Sequence, residues 1–385
     1  MIPAPAAPSR RRLLRRLRPR LTAAAGAGAD RYRKHFTAAA HLQILLWHVL
    51  SGSRSLRRTH AKLAAAGWWR VGLARGVSRS QLARSSTSRD AACAERLLAE
   101  LVAAARRAGA AADPLARRLA KVQLVDSTFL PLSLKLSPWS GHKGHAAGVR
   151  VQLGLDLGPT LADAVPGALA VTLADAHDTR VWERRDLAEL WGWTVVFDLG
   201  YSGHPHLARL RGAGVSFVCP LHPQAKTAVT AEHAVPPAPP SAAGDVVLAD
   251  QTVTLGSDNH RGSRPVPGLR LVTGRNARGE VRRFVTDRFD LAAAEVLALY
   301  RLRWQIELFF RWLKHALGAA VPLGRSRAAV WLTVVVCACA ALLAGLLDPP
   351  GPGDVSRVAR LVAWAEVLGR APVVAGPGQP DPRPG

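Results

Sequence analysis

The chain has 385 residues, 49% of them hydrophobic, which is length for two or three domains and ample material for a real core. Lys and Arg number 52 against 27 Asp and Glu, a formal charge of +25. Such an excess points to a polyanionic partner, since phosphate neutralisation releases counterions and a globular protein seldom carries that self-repulsion without use. A coding bias toward Ala, Arg, Gly and Pro raises the same count, so charge narrows the partner and leaves the reaction open. Cys93, Cys219, Cys337 and Cys339 are scattered and mostly in apolar surroundings. That excludes zinc-ligand spacing and reads as reduced core residues of a cytosolic protein.

Residues 1–30 read as disordered, with Arg10, Arg11, Arg12, Arg15, Arg16, Arg18 and Arg20 either gripping phosphates or forming a solvated arm. The weakly apolar stretch from Leu21 is too short for a signal segment. From Ala38 to about Arg107 the period is helical. Leu42, Leu45, Leu46 and Leu50 share a face, Leu56 and Leu63 suggest a second helix, and Ser78-Arg-Ser-Gln81 fits a capping box. Ser88 is a candidate cap for a helix carrying Ala91 to Ala105. Arg57, Arg58, Arg79 and Arg84 stand near expected helix starts, where a cation gains nothing from the dipole. Phosphate contact is one reason for them, although any helical bundle shows the same periodicity.

After Lys121 the rhythm changes. Val122-Gln-Leu-Val-Asp126 reads as a buried strand ending in a carboxylate, Val149 to Leu157 as a second strand, and Ala168 to Ala174 as a third. A helix is expected over Asp178 to Leu190, a strand at Thr194-Val-Val-Phe-Asp198, a helix from His204 to Arg211, and a strand from Val215 to Cys219. This is the element order of a ribonuclease-H-like core, in the α/β class. The Pro-rich stretch 236–244 is a loop. Beyond it lie a strand from Val246 to Leu255 and a hairpin of Leu269–Thr273 with Val281–Thr286, turning through Gly274-Arg-Asn-Ala-Arg-Gly279. Asp290 is placed to cap a helical stretch running to about Leu317, as one helix or two with a bend, stopped by Gly318. Asp156 and Asp163 flank a turn, and His177-Asp178 reads as a structural cap. The run Ala328 to Leu347 has transmembrane length, but its Ala-rich composition favours a buried helix.

Phosphoryl transfer assisted by two divalent ions needs a few carboxylates from different elements held close together. Asp126 and Asp198 each follow an apolar strand, where a carboxylate needs a cation or a hydrogen-bond partner. Alone, each is equally a turn former. Between Tyr300 and Lys314, the residues Tyr300, Arg303, Glu307, Arg311 and Lys314 recur at helical steps of three and four. Leu302, Ile306, Phe309, Phe310 and Leu313 fill the opposite face. A solvated ion-pair ladder gives similar alternation but leaves the accompanying Tyr and two Trp unexplained.

The pattern Tyr300-x2-Arg303-x3-Glu307-x6-Lys314 resembles, at every position, the signature of the insertion-sequence 4 family of DDE transposases. Val125-Asp126-Ser-Thr128 and Phe197-Asp198-Leu-Gly-Tyr201 look like the family's two Asp segments, and the resemblance covers roughly residues 35–347. It implies cut-and-paste DNA transposition through a hairpin intermediate on the element's end. Asp126, Asp198 and Glu307 would be the catalytic carboxylates holding two Mg²⁺ or Mn²⁺ ions. Arg303, Arg311 and Lys314 would contact DNA, and Tyr300 would hold the strand near a flipped base. The implied organisation is a disordered basic arm (1–34), a helical DNA-binding domain (35–115), a ribonuclease-H-like core (116–220 and 290–347), a β-rich insertion (221–289) and a tail (348–385). The resemblance also implies terminal inverted repeats and target DNA as partners, a synaptic homodimer, a cytoplasmic, nucleoid-associated setting and no membrane. The alternative is a catalytically decayed or domesticated DNA-binding protein of the same descent. The Pro-rich run 236–240 and the Arg-rich start have no counterpart in the family pattern.

Overall fold

The computed structural model describes residues 19–26, 30, 35–89, 91–108, 121–133, 135, 137–143, 146–157, 164–175, 181–182, 185–241, 243–257, 264–315 and 322–347. The first 18 residues of the basic arm, Asp163, the His177-Asp178 pair, Gly318 and the tail from 348 lie outside these residues.

Four helices lead: α1 (Ala38–Leu50), α2 (Leu56–Ala66), α3 (Arg79–Ser88) and α4 (Ala92–Ala108). Their starts follow side-chain chemistry. Thr37 accepts from the Ala40 amide, Ser55 from Arg58 and Ser78 from Gln81, each satisfying a donor that the helix itself leaves open. Ser88, expected to cap the next helix, is instead the last residue of α3, and α4 begins four residues later. Ahead of them, where no structure was expected, residues 19–25 are helical. Leu21 is buried in the main core, and Arg96 of α4 donates to the end carbonyls of Ala24 (2.7 Å) and Ala25 (3.0 Å).

One ten-stranded sheet carries the rest. Its strands are β1 (Val122–Pro131), β2 (Gly141–Lys143), β3 (Ala146–Leu157), β4 (Ala164–Leu173), β5 (Thr194–Phe197), β6 (Ser216–Pro220), β7 (Thr227–Glu232), β8 (Val246–Leu255), β9 (Val266–Arg275) and β10 (Val281–Thr286). The order is β2-β3-β1-β5-β6-β10-β9-β8-β7, with β4 also paired to β3. The pairs β1–β5 and β5–β6 are parallel and the others antiparallel. Thr194-Val-Val-Phe197 is buried at every position, as a central parallel strand covered on both faces should be. The strands of the expected β-rich insertion, 221–289, continue this sheet, because β10 zips antiparallel onto β6. Over the helix expected at 178–190, the described residues are helical at Val181 and Trp182 and form a 3₁₀ turn at Ala188–Leu190.

The sheet is packed on both faces. Packed on β6, α5 (His204–Gly212) closes a cluster with Phe197, Phe217 and Leu271. The opposite core holds β1, β3 and α8 (Arg327–Leu347), and it also takes in Leu45 of α1 and Leu97 of α4. The expected boundary near residue 115 therefore divides the chain order but not the cores; only Phe36, Ile44, Leu63, Leu82 and their neighbours form a cluster of their own. The apolar run of α8 packs against α4 and α1, and no helix among the described residues is long and apolar enough to cross a membrane. Cys219, Cys337 and Cys339 are buried, and burial pushes each thiol far up from its ordinary value.

A polar clamp ties α4 to the sheet end. Asp156 accepts from Gln123 at 2.6 Å and from the Arg106 Nε at 3.0 Å. Gly167 makes the clamp possible, because a Cβ there would meet the Asp156 carboxylate at 2.1 Å.

Candidate active site

The helical stretch after the sheet is two helices, α6 (Ala293–Arg301) and α7 (Trp304–His315), with Leu302 and Arg303 in the turn between them. Asp290 does not cap α6. It pairs with Arg288 at 2.7 Å, and Glu295 instead reaches back to the Ala292 amide at 2.9 Å. Ile306, Phe309, Phe310 and Leu313 bury one face of α7, which packs α7 on β1 and turns Glu307 toward the strand.

Two Asp residues await it. In the parallel pair, Val125 lies opposite Phe197, so Asp126 and Asp198 follow side by side on adjacent strands, about 5 Å apart in backbone spacing. Asp198 stands just past the end of β5, whereas β1 runs on to Pro131; Asp126 marks where its parallel pairing stops, not where the strand does. Each carboxylate is oriented by the next backbone amide, Ser127 to Asp126 at 2.7 Å and Leu199 to Asp198 at 2.6 Å. Tyr201, buried against Phe197, donates to Gln152 of β3 at 3.4 Å and braces the turn that carries Asp198.

Electrostatics join the three acids. Burial pushes the Asp126 carboxyl up to about 6; the Ser127 amide and Arg303 pull it down, while Asp198 and Glu307 push it further up. Arg303 stands between two of them, its Nη1 3.0 Å from Asp126 and its Nη2 2.5 Å from Glu307. Tyr300 sits beside this group, its ring 4.6 Å from Phe284 and 5.8 Å from the Arg303 guanidinium, and burial raises its hydroxyl. Five of the seven residues singled out in the sequence thus meet here: Asp126, Asp198, Glu307, Tyr300 and Arg303. Arg311 and Lys314 lie one and two turns along α7; Arg311 is exposed, and burial lowers the Lys314 ammonium.

A cavity of about 600 Å³ opens beside Glu307. Tyr300, Phe284 and Trp304 supply aromatic walls, Arg275 comes from the end of β9 and Arg278 from the β9–β10 turn. Trp304 is 51% exposed. Neither arginine has an ion pair among the described residues, although Arg278 lies near enough to Glu280, also in the cavity wall, to help lower its carboxyl.

A family model, the transposase DDE domain, matches residues 117–343, more than half of the chain. The chain belongs to the transposase DDE domain family. Within this DDE domain fall the sheet, the cavity and all three acids. A protein described as "Putative transposase y4zB" from Sinorhizobium fredii is 31% identical over 213 residues, 55% of this chain and 57% of that protein. The "Probable transposase for insertion sequence element IS5377" of Geobacillus stearothermophilus is 27% identical over 210 residues, 54% of this chain and 52% of its own. The match spans only a little over half the length of these curated relatives. A cryo-EM structure of a piggyBac transposase synaptic complex with hairpin DNA aligns over 87% of this chain and 73% of that one, at 8% identity and a TM-score of 0.42.

In the DDE domain, sequence reasoning found the cavity residues Tyr300, Arg303 and Glu307 but gave no role to Trp304, Arg275 or Arg278. Trp304 lay inside the signature without a role, and the segment 274–279 was read only as a hairpin turn. Their signal was composition: a Trp directly after the signature's arginine, and two arginines at a hairpin end that needs neither.

Proposed function

We propose that this chain is a DNA transposase of the insertion-sequence 4 type, cutting and rejoining phosphodiester strands with Asp126, Asp198 and Glu307 on a ribonuclease-H-like core. The observation that carries the reading is the meeting of two strand-borne Asp and one helix-borne Glu beside a basic, aromatic cavity. The three acids offer only hard oxygen donors, the chemistry that Mg²⁺ or Mn²⁺ takes. Among the described residues no three acidic, His or Cys side chains stand together as a metal cluster, and Arg303 bridges Asp126 and Glu307. The donor set fits two such ions once the guanidinium yields. When bound, the ions supply a more acidic attacking hydroxyl and neutralise charge on the leaving oxygen.

The rest of the work falls to side chains. The Ser127 and Leu199 amides hold the two Asp carboxylates in fixed orientation. Arg303, Arg311 and Lys314 contact strand phosphates, and Tyr300 holds the strand beside an unpaired base. Trp304 adds a stacking surface, with Arg275 and Arg278 meeting the neighbouring phosphates. The helical part, 35–115, grips the element's ends through exposed arginines including Arg57 and Arg79, and the basic arm and β-rich strands add contacts along the duplex. A homodimer pairs two such ends, and cleavage passes through a hairpin on nucleoid DNA.

Trp304→Ala is expected to lower cleavage of an element end about tenfold or more, as loss of one stacked base implies, with melting unchanged because the ring is half in solvent. A wild-type rate in that variant removes the cavity from the strand's path. The reading as a whole is tested on linear duplex DNA carrying the element's inverted repeats in Mg²⁺. A hairpin-ended product supports it. Binding with no nick replaces it with a DNA-binding protein of the same descent.

A further inference from the structure

One guanidinium serves two of the three carboxylates. Arg303 reaches Asp126 Oδ2 with Nη1 and Glu307 Oε1 with Nη2, while its Nε is buried with no hydrogen-bond partner among the described residues. The side chain is only 16% exposed. Three carboxylates cannot all ionise at close quarters without a cation among them, and here the chain supplies that cation itself. Its backbone sits in the turn between α6 and α7 rather than inside a helix, and the same side chain forms part of the cavity wall. A second berth is therefore open to it: a phosphate oxygen in the cavity accepts a guanidinium at least as well as a carboxylate does.

We propose that Arg303 is the built-in counterion of the carboxylate cluster and competes directly with a divalent cation for Asp126 and Glu307. The inference rests on the reading of these acids as metal ligands. A guanidinium that occupies lone pairs on these oxygens repels a divalent ion brought to the same carboxylates, so whichever is bound weakens the other by the same factor. The sign separates this role from a scaffolding one. If Arg303 competes, its removal tightens divalent-ion binding; if it only holds the acids in place, its removal loosens it.

The test is Mn²⁺ binding to the full chain without DNA, followed by calorimetry or by the electron spin resonance of free Mn²⁺. Arg303→Gln is expected to bind Mn²⁺ about tenfold more tightly than wild type. Arg303→Lys, whose ammonium cannot bridge both oxygens, is expected to bind it a few-fold more tightly, and it carries the test if the Gln variant fails to fold. Equal or weaker binding in the folded variants overturns the proposal. Asp126→Asn is the control. If it binds Mn²⁺ as wild type does, the acids are not the metal ligands, and both the functional reading and this inference fall. If it abolishes binding while Arg303→Gln leaves affinity unchanged or lower, only the Arg303 inference falls.

Discussion

Asp126→Asn is expected to lose DNA cleavage by at least about a thousandfold and yet to melt at a higher temperature than wild type at pH 8. The first half follows from removing one of three hard ligands. The second follows from burial, which pushes this carboxyl up from 3.8 to about 6 even though Arg303 and the Ser127 amide oppose it. A carboxyl whose folded pKa is raised holds its proton more tightly in the folded chain than in the unfolded one. Its contribution to stability is fully present below about pH 4 and is lost as pH rises through about 6. At pH 8 the ionised side chain costs the fold up to about 3 kcal/mol, and a neutral amide removes that cost. Arg303 then keeps only Glu307 as a partner, so the gain falls short of the full figure. Calorimetry at pH 8 and pH 4 checks the account. The advantage of the variant should shrink at pH 4, and a lower melting temperature at pH 8 would sink the idea.

The second large effect lies far from the acids. Asp250→Ala is expected to cost about 3–5 kcal/mol of stability, because it strips one partner from a buried ion pair. Asp250 and Arg270 are each 7% exposed and meet twice, Nε to Oδ1 at 2.8 Å and Nη2 to Oδ2 at 2.6 Å. Arg270 also donates through Nη1 to the carbonyls of Arg288 (2.9 Å) and Leu291 (2.5 Å). Those carbonyls belong to the segment joining β10 to α6, so the pair fixes how the helix stretch carrying Glu307 leaves the sheet. The loss should therefore appear twice: as a lower urea midpoint, and as a cleavage rate that falls further than duplex binding does. An unchanged midpoint would mean the pair contributes nothing to that anchorage.

What the sequence revealed depended on how local the cause was. Asp126 and Asp198 were legible as carboxylates after mostly apolar β-type residues, Val122, Leu124 and Val125 before the first and Val195 to Phe197 before the second, although only β5 stops there. The buried face of α7 was legible from the spacing of Ile306, Phe309, Phe310 and Leu313. A bend was left open, but its place at Leu302 and Arg303 was not legible, since the helical period passes straight through it. That break decides where Arg303 points, and so its place between two carboxylates could not be read from a signature in which it simply precedes Glu307. Residues 19–25 look like featureless Ala-rich sequence, yet one leucine, Leu21, and the carbonyl contacts from Arg96 hold them on the core. The pairing of β10 with β6 was hidden for a related reason: alternation marks a strand but says nothing of its neighbour.

The central claim, that these three acids perform strand cleavage, is tested most directly by Glu307→Gln against wild type on the same element-end duplex, with binding and Mg²⁺-dependent nicking measured side by side. The account predicts that the variant binds the duplex at least as well as wild type, since a negative charge has been removed, and nicks it at less than about a thousandth of the wild-type rate. Nicking by Glu307→Gln at the wild-type rate would contradict it.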